Sequence, residues 1–262
     1  MRRLLTALQF LTIIPVDHKL TVNEADIVKS SSLFVPVGLI QGLLLIAVDN
    51  AAGRVFQQEL TIGLVLLALV LSNGGFHLDG LADTFDAIAA KGDKEKKLSV
   101  MKDGATGPAG VIAVFFVLLL KFLALKSLTS FSLFTFYSSL LLMPAFSKWA
   151  MVITMFHGRP ARQNGLGQIF ISKIGVKEVL LSTFILLLSC MTLQALFARS
   201  ALYGQYFLYA IPAIFIYLLC RLSIHFFNRH FGGLTGDTLG AISEISETGF
   251  LFTVIAWSRL YT

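Results

Sequence analysis

The sequence predicts an all-α fold: a polytopic integral membrane helical bundle with about six to seven transmembrane helices. Three observations lead there. Of its 262 residues, 56% are hydrophobic and only 14% are charged, whereas soluble domains run at about 45–50% apolar and about 25% charged. Mean hydropathy is +0.78. The apolar residues are also gathered into runs of roughly 17–25, each long enough to cross a bilayer core. These runs fall at about 33–50, 60–77, 109–126, 131–155, 178–197, 205–227 and 239–258. No internal repeat, long linker or low-complexity tract divides them, so residues 1–262 are expected to form one membrane-embedded domain.

Each element has its own signature. The opening "MRRLLTALQFLTIIPVDHKL" has a basic start and a short apolar stretch, as a signal peptide does. It lacks a small-x-small cleavage site, which predicts a retained helix lying on the membrane or re-entering it. The first full run contains Pro36 and Gly38, which neighbouring helices can accommodate in a membrane. The second runs directly into "GGFHLDGLADTFDAIAA", where a histidine and three aspartates occupy ten residues. The last run is the weakest span, because Glu244 and Glu247 interrupt it. Cys190 and Cys220 both sit in apolar runs without metal-binding spacing and read as small buried hydrophobes.

Charge sets the expected orientation. Arg2, Arg3, Lys19, Lys29, Lys91, Lys94, Lys96, Lys97, Lys102, Arg159, Arg162, Lys173, Lys177, Arg221 and Arg229 fall on one side. Only Arg54, Lys121, Lys126, Arg199 and Arg259 fall on the other, and Lys148 lies within a span. The positive-inside rule places the first set in the cytoplasm. The formal charge of +6 is thus accounted for by orientation and does not indicate a nucleic-acid partner. Every polar motif falls on the same cytoplasmic side: "NGGFHLDGLADTFD", "VMKDGATGPAG", "HGRPARQNGLGQIF" and "FGGLTGDTLGAISEISE".

These motifs carry chemistry. Asp79, Asp83 and Asp86 stand at i, i+4 and i+7, on one helical face. Carboxylates at a membrane boundary repel one another and are costly unless something positive joins them. A divalent cation does so, and magnesium favours a few carboxylates with water and substrate phosphates. Asp103 follows Lys102, and Gly104, Gly107 and Gly110 make a glycine-rich turn into a helix near Pro108. Backbone amides at such a helix start favour a phosphate. Arg159 and Arg162 supply guanidinium forks suited to phosphate oxygens. Lys148 either snorkels to the headgroups or reaches an internal site. Asp237 and Glu244 share a face if their helix is continuous, and Glu244 and Glu247 want a partner: metal, substrate or a base such as Lys148. No Ser-His-Asp or thiol arrangement and no Walker loop is present. The residues describe metal-assisted phosphoryl transfer, with a substrate hydroxyl attacking a pyrophosphate.

Taken in order, "GGFHLDGLADTFD", "VMKDGATGPAGV", "RPARQNGLGQIFI" and "GGLTGDTLGAISE" resemble the cobalamin synthase family, the adenosylcobinamide-GDP ribazoletransferases. The resemblance runs from residue 34 to the C-terminal span. It implies a magnesium-dependent integral membrane transferase of the bacterial or archaeal cytoplasmic membrane, acting late in cobalamin synthesis. Adenosylcobinamide-GDP and α-ribazole or its 5′-phosphate would be the substrates, GMP a product, and other corrinoid-pathway enzymes the associates. Carried over, Asp79, Asp83, Asp86 and Asp103 would hold magnesium. Lys102, Gly104, Gly107, Arg159, Arg162, His77 and Lys148 would contact substrate or phosphate. Asp79, Asp83, Asp237 and Glu244 would be the catalytic acids, with Asp237, Glu244 or one of the three aspartates Asp79, Asp83 and Asp86 as the base. The family's serine after "MKD" is Gly104 here, its fourth-span arginine is Lys148, and a glycine after the third aspartate is Ala87. Two other classes have different signatures. A CDP-alcohol phosphotransferase would continue "DG" with "AR", and a cation transporter would hold its acids at the bilayer midplane.

Overall fold

The computed structural model describes residues 2–14, 23–162, 169–171, 173–197 and 208–260. Lys19, Arg199 and the whole "QNGLGQ" stretch lie outside these residues. The described chain is all-α: α1 (Arg2–Leu11), α2 (Glu24–Ser30), a 3-10 turn, α3 (Phe34–Ala52), α4 (Gln58–Ser72), α5 (Phe76–Ala89), α6 (Lys94–Lys102), α7 (Pro108–Leu128), α8 (Leu133–His157), α9 (Val176–Phe197), α10 (Ala210–Phe231) and α11 (Gly236–Arg259). Among the described residues six helical stretches are long and apolar enough to cross a membrane, or seven if α4 and α5 count as one bent span. The expected polytopic helical bundle is therefore observed.

Two elements differ from expectation. The run 60–77 does not continue as one helix. It ends at Ser72, Gly74 and Gly75 adopt φ of 65° and 74°, and α5 leaves at 85° to α4. Glycine reaches that left-handed region without a Cβ penalty, so the pair turns the chain sharply and re-aims the acidic stretch. The last run, expected to be broken by its glutamates, is instead a continuous helix from Gly236 to Arg259. Its glutamates are neutralised by Lys121, whose Nζ lies 2.6 Å from Glu244 Oε2 and 2.5 Å from Glu247 Oε2. Lys121 is consequently not a loop charge on the far side; it is 1% exposed, within α7.

α8 is the core of the bundle. It is buried over 89% of its apolar window, against 17% for α9, whose outward face is a row of leucines and phenylalanines. α3 packs closely on α8 at Gly38 and Gly42. A Cβ on Gly38 would stand 2.6 Å from Ala145 Cα, and one on Gly42 would collide with the Leu141 carbonyl. In lipid, where burial of apolar surface drives little, such backbone approach by small residues four apart is what joins helices. α8 is tied to α9 by Trp149 Nε1 donating to Thr183 Oγ1 at 2.9 Å. Phe34, Phe170 and Phe10 close the N-terminal side of the core.

A branched side chain at the α3–α8 crossing tests this packing. Gly42→Val is expected to destabilise the protein by at least about 1–3 kcal/mol, the usual cost of overpacking. A thermal melt in detergent should show a lowered midpoint, while Gly63→Val, where a Cβ meets open space, should leave it in place.

Candidate active site

The site is built where α5 crosses α11. Gly80 of α5 has no room for a side chain: a Cβ there would lie 2.7 Å from the Asp237 carbonyl oxygen and 2.9 Å from Asp237 Cα. Gly240 of α11 answers it, with His77 Cα 3.2 Å and Gly80 Cα 3.4 Å from where its Cβ would be. Two glycines, one per helix, let the backbones touch. That contact sets Asp237, in the first turn of α11, beside the α5 face that carries Asp79 and Asp83. Thr235 caps α11: its Oγ1 accepts from Thr238 N at 3.2 Å, and Thr238 Oγ1 accepts from Thr235 N at 2.9 Å. The cap fixes where Asp237 stands.

Electrostatics confirm that these acids share a space. Asp83, on α5 and outside the six spans, is pushed up to about 6 by burial first, and then by the charges of Asp79, Asp237 and Asp86. Crowded carboxylates with this little compensation resist ionising together. The positive charge that acts on Asp237 is Arg162. Arg162 also donates to the Leu98 carbonyl of α6. Its segment is pinned to the one preceding α11, with Leu234 N donating to Arg159 O and Ala161 N to Leu234 O, both at 2.8 Å. Arg159 Nε donates to Gly232 O at 3.1 Å. The arginine segment and the α11 start, distant in sequence, are thus laid side by side.

Asp86 takes a distinct position. Its Oδ2 accepts from Gly107 N at 2.7 Å and its Oδ1 from Gly110 N at 2.9 Å. A Cβ on Gly110 would strike the Asp86 carboxylate, and one on Gly107 would come within 2.6 Å of Asp86 Oδ1. The anion held at the start of α7 is therefore a side chain of the protein itself, which satisfies two otherwise orphaned amides. Asp86 docks α7 onto α5, and Gly107 gives its amide to that bond. Asp103, Lys102 and Gly104 are exposed at the end of α6 and just beyond, Gly104 with φ of 69°. Asp103 is not among the acids that act on Asp83.

His77, Lys148 and Glu244 lie beneath the acid face, inside the bundle. Lys148 of α8 is fully buried, its Nζ 3.4 Å from His77 Nδ1 and 3.4 Å from Ser243 Oγ. Ser243 Oγ is 3.2 Å from His77 Nδ1 and 2.6 Å from Ser147 Oγ, and Asn73 Nδ2 is 3.3 Å from the same His77 nitrogen. Below these, Lys121 binds Glu244 and Glu247, and Lys148 stands within electrostatic reach of both glutamates. Lys121 is the member that sequence reasoning placed elsewhere. The available signal was its position thirteen residues into an apolar helix, where a lysine needs an anion.

The donor set suits a hard divalent cation, because Asp79, Asp83 and Asp237 offer carboxylate oxygens; the nearby Met101 sulfur accepts from Thr235 Oγ1 at 3.2 Å. Among the described residues no three acidic, histidine or cysteine side chains already converge as a metal cage. Magnesium is commonly held by one or two carboxylates and completed by water and phosphate oxygens.

Comparison with known proteins bears on what such a site serves. A family model described as cobalamin-5-phosphate synthase matches residues 3–255. The chain is 36% identical to the adenosylcobinamide-GDP ribazoletransferase of Thermodesulfovibrio yellowstonii, over 99% of this chain and 98% of that one. It is 34% identical to the protein of that name from Geotalea daltonii, over 98% of both chains. With the one from Clostridium tetani it shares 32% identity over 98% of this chain and 96% of the other. No solved structure matches.

The buried ion cluster yields a stability test. Lys121→Met leaves two glutamates in the bundle facing Lys148 alone, and breaking a buried pair in this way costs about 3–5 kcal/mol. The melting midpoint in detergent should fall. Adding Glu244→Gln to the same chain should restore most of the loss, since Lys148 then faces the single charge of Glu247 and the set balances again. A Lys121→Met protein as stable as the parent would show that the cluster does not hold α7 to α11.

Proposed function

The chain belongs to the cobalamin-5-phosphate synthase family, and we propose that it transfers the adenosylcobinamide phosphate of adenosylcobinamide-GDP to α-ribazole or its 5′-phosphate, releasing GMP. The product is adenosylcobalamin or its 5′-phosphate. The observation that carries this reading is the meeting of Asp79, Asp83 and Asp237 across the glycine-lined α5–α11 crossing. An acid cluster with an arginine on its edge is what a pyrophosphate donor and a divalent cation require together.

Magnesium, when bound, would neutralise the pyrophosphate and make the cobinamide-bearing phosphorus open to attack. Asp79, Asp83 and Asp237 would hold it. Arg162, already acting on Asp237, would take the phosphate oxygens of the departing GMP, with Arg159 bracing the segment through Gly232. The ribazole hydroxyl forms the new P–O bond as the P–O bond to GMP breaks, and its proton passes to a carboxylate. Burial first, and then the charges of Asp79, Asp237 and Asp86, raise the affinity of Asp83 for a proton to near neutrality, so Asp83 would either take that proton or hold the cation. Asp86 positions α7 against α5, and His77, Lys148 and Glu244 support the acid face from below. The lysine-rich α6 and the arginine segment lie at the same end of the bundle as the acids, which the positive-inside rule makes cytoplasmic. The membrane would then be the bacterial or archaeal inner membrane.

Membranes containing the protein should form GMP and the cobalamin product only when adenosylcobinamide-GDP, ribazole and magnesium are all supplied. At limiting magnesium the rate should fall as pH drops through about 6. Asp83 has a raised pKa, so it is protonated below that value and lost as a ligand or base, and deprotonated above it. A rate that is level from pH 5 to 7.5, or product without magnesium, would show that Asp83 is neither the base nor a metal ligand.

A further inference from the structure

A groove of about 760 Å³ lies between α5, α10 and α11, within the range that lodges a small ligand. Its floor is apolar, from Phe85, Ile88, Leu222, Phe226 and Ile245. Leu222 is 69% exposed and continues a lipid-facing row on α10 with Ile214 and Leu218, four residues apart. The groove therefore opens sideways, into the bilayer, and an apolar occupant costs nothing to bring there.

Its basic groups are confined to one end, and Thr84 and Ser223 are the neutral polar residues of its lining. His225, Arg229 and His230 line the last two turns of α10, with His230 stacked on Phe226 at a centroid distance of 4.0 Å. Beyond them Lys94 of the lysine-rich α6 comes close to Gly232. Among the described residues no acidic side chain lines the groove. From Ile214 to Leu222 the exposed apolar row rises about 12 Å, close to the depth of one leaflet's hydrocarbon, and the basic residues follow it along α10. Apolar toward that row and basic at the membrane boundary, the groove has the polarity of a single anionic phospholipid. Basic clefts of this kind between helices hold anionic headgroups.

The occupant would lie against the catalytic helix. Thr84 and Phe85, which line the groove, stand between Asp83 and Asp86 on α5. Thr84 is fully buried, and among the described residues its Oγ1 has no hydrogen-bond partner. We propose that this groove binds one anionic phospholipid, its acyl chain along Phe85, Leu222 and Ile245 and its phosphate at Arg229, bracing the rear of the aspartate helix. The site is separate from the acid face, and it does not depend on which reaction that face performs.

Native mass spectrometry tests it without an activity assay. The detergent-purified protein is exposed to equal amounts of phosphatidylglycerol and phosphatidylcholine, and the retained lipids are counted. Phosphatidylglycerol should be retained in preference. Arg229→Gln should lower that preference by about fivefold, the weight of one basic residue at a membrane surface. Ser223→Trp, which fills the groove from α10, should reduce retention of both lipids. Equal retention of the two lipids by the parent protein, or an unchanged preference in Arg229→Gln, would overturn the proposal. So would displacement of phosphatidylglycerol by soluble glycerol 3-phosphate or by adenosylcobinamide-GDP, since the groove would then serve a soluble ligand.

Discussion

Two lysines and two glutamates are buried together in the middle of this bundle, and the geometry of the acid face rests on them. Glu244 and Glu247 belong to α11, Lys121 to α7 and Lys148 to α8. Charges of this kind are costly in a membrane unless they balance, and here two of each sign do. The balance ties three helices to one register. It then reaches a fourth, because Lys148 and Ser243 both approach His77 on α5. His77 is two residues from Asp79, so the register of the ion cluster becomes the register of the aspartates.

Above this floor, close backbone contact does the assembling. Gly74 and Gly75 swing α5 away from α4; Gly80 and Gly240 let α5 meet α11; Gly107 and Gly110 bring the start of α7 onto Asp86. Each contact excludes even a methyl group or needs a left-handed backbone. The acids are thereby crowded enough to raise Asp83, and the crowding is what a cation would relieve. Structure and chemistry share a cause: the same glycines that pack the helices put the carboxylates within reach of one another.

Much of this was legible in the residue pattern. Apolar runs of spanning length announced the helices, and the i, i+4, i+7 spacing put Asp79, Asp83 and Asp86 on one face. The convergence of α5, α11 and the arginine segment followed from sorting motifs by membrane side. What spacing alone does not carry is how a side chain is spent. Asp86 shares its face with the other two, yet both its oxygens are taken by amides of α7. Glu244 aligns with Asp237 on α11, yet lies two turns deeper and is paired with a lysine. Lys121 lies within an apolar run, where it needs an anion, and only the neighbouring helix shows that Glu244 and Glu247 supply it. Partnership is a tertiary property, and helical periodicity gives a direction without a depth.

The central claim is that α5 and α11 contribute carboxylates to one cation. Electron paramagnetic resonance of manganese added to the purified protein addresses it directly. A saturable bound signal in the parent protein that is lost in Asp83→Asn and equally weakened in Asp237→Asn, but kept in Asp103→Asn, is the predicted result. Undiminished binding in Asp237→Asn would contradict the claim, because the crossing of the two helices would then have no part in holding the metal.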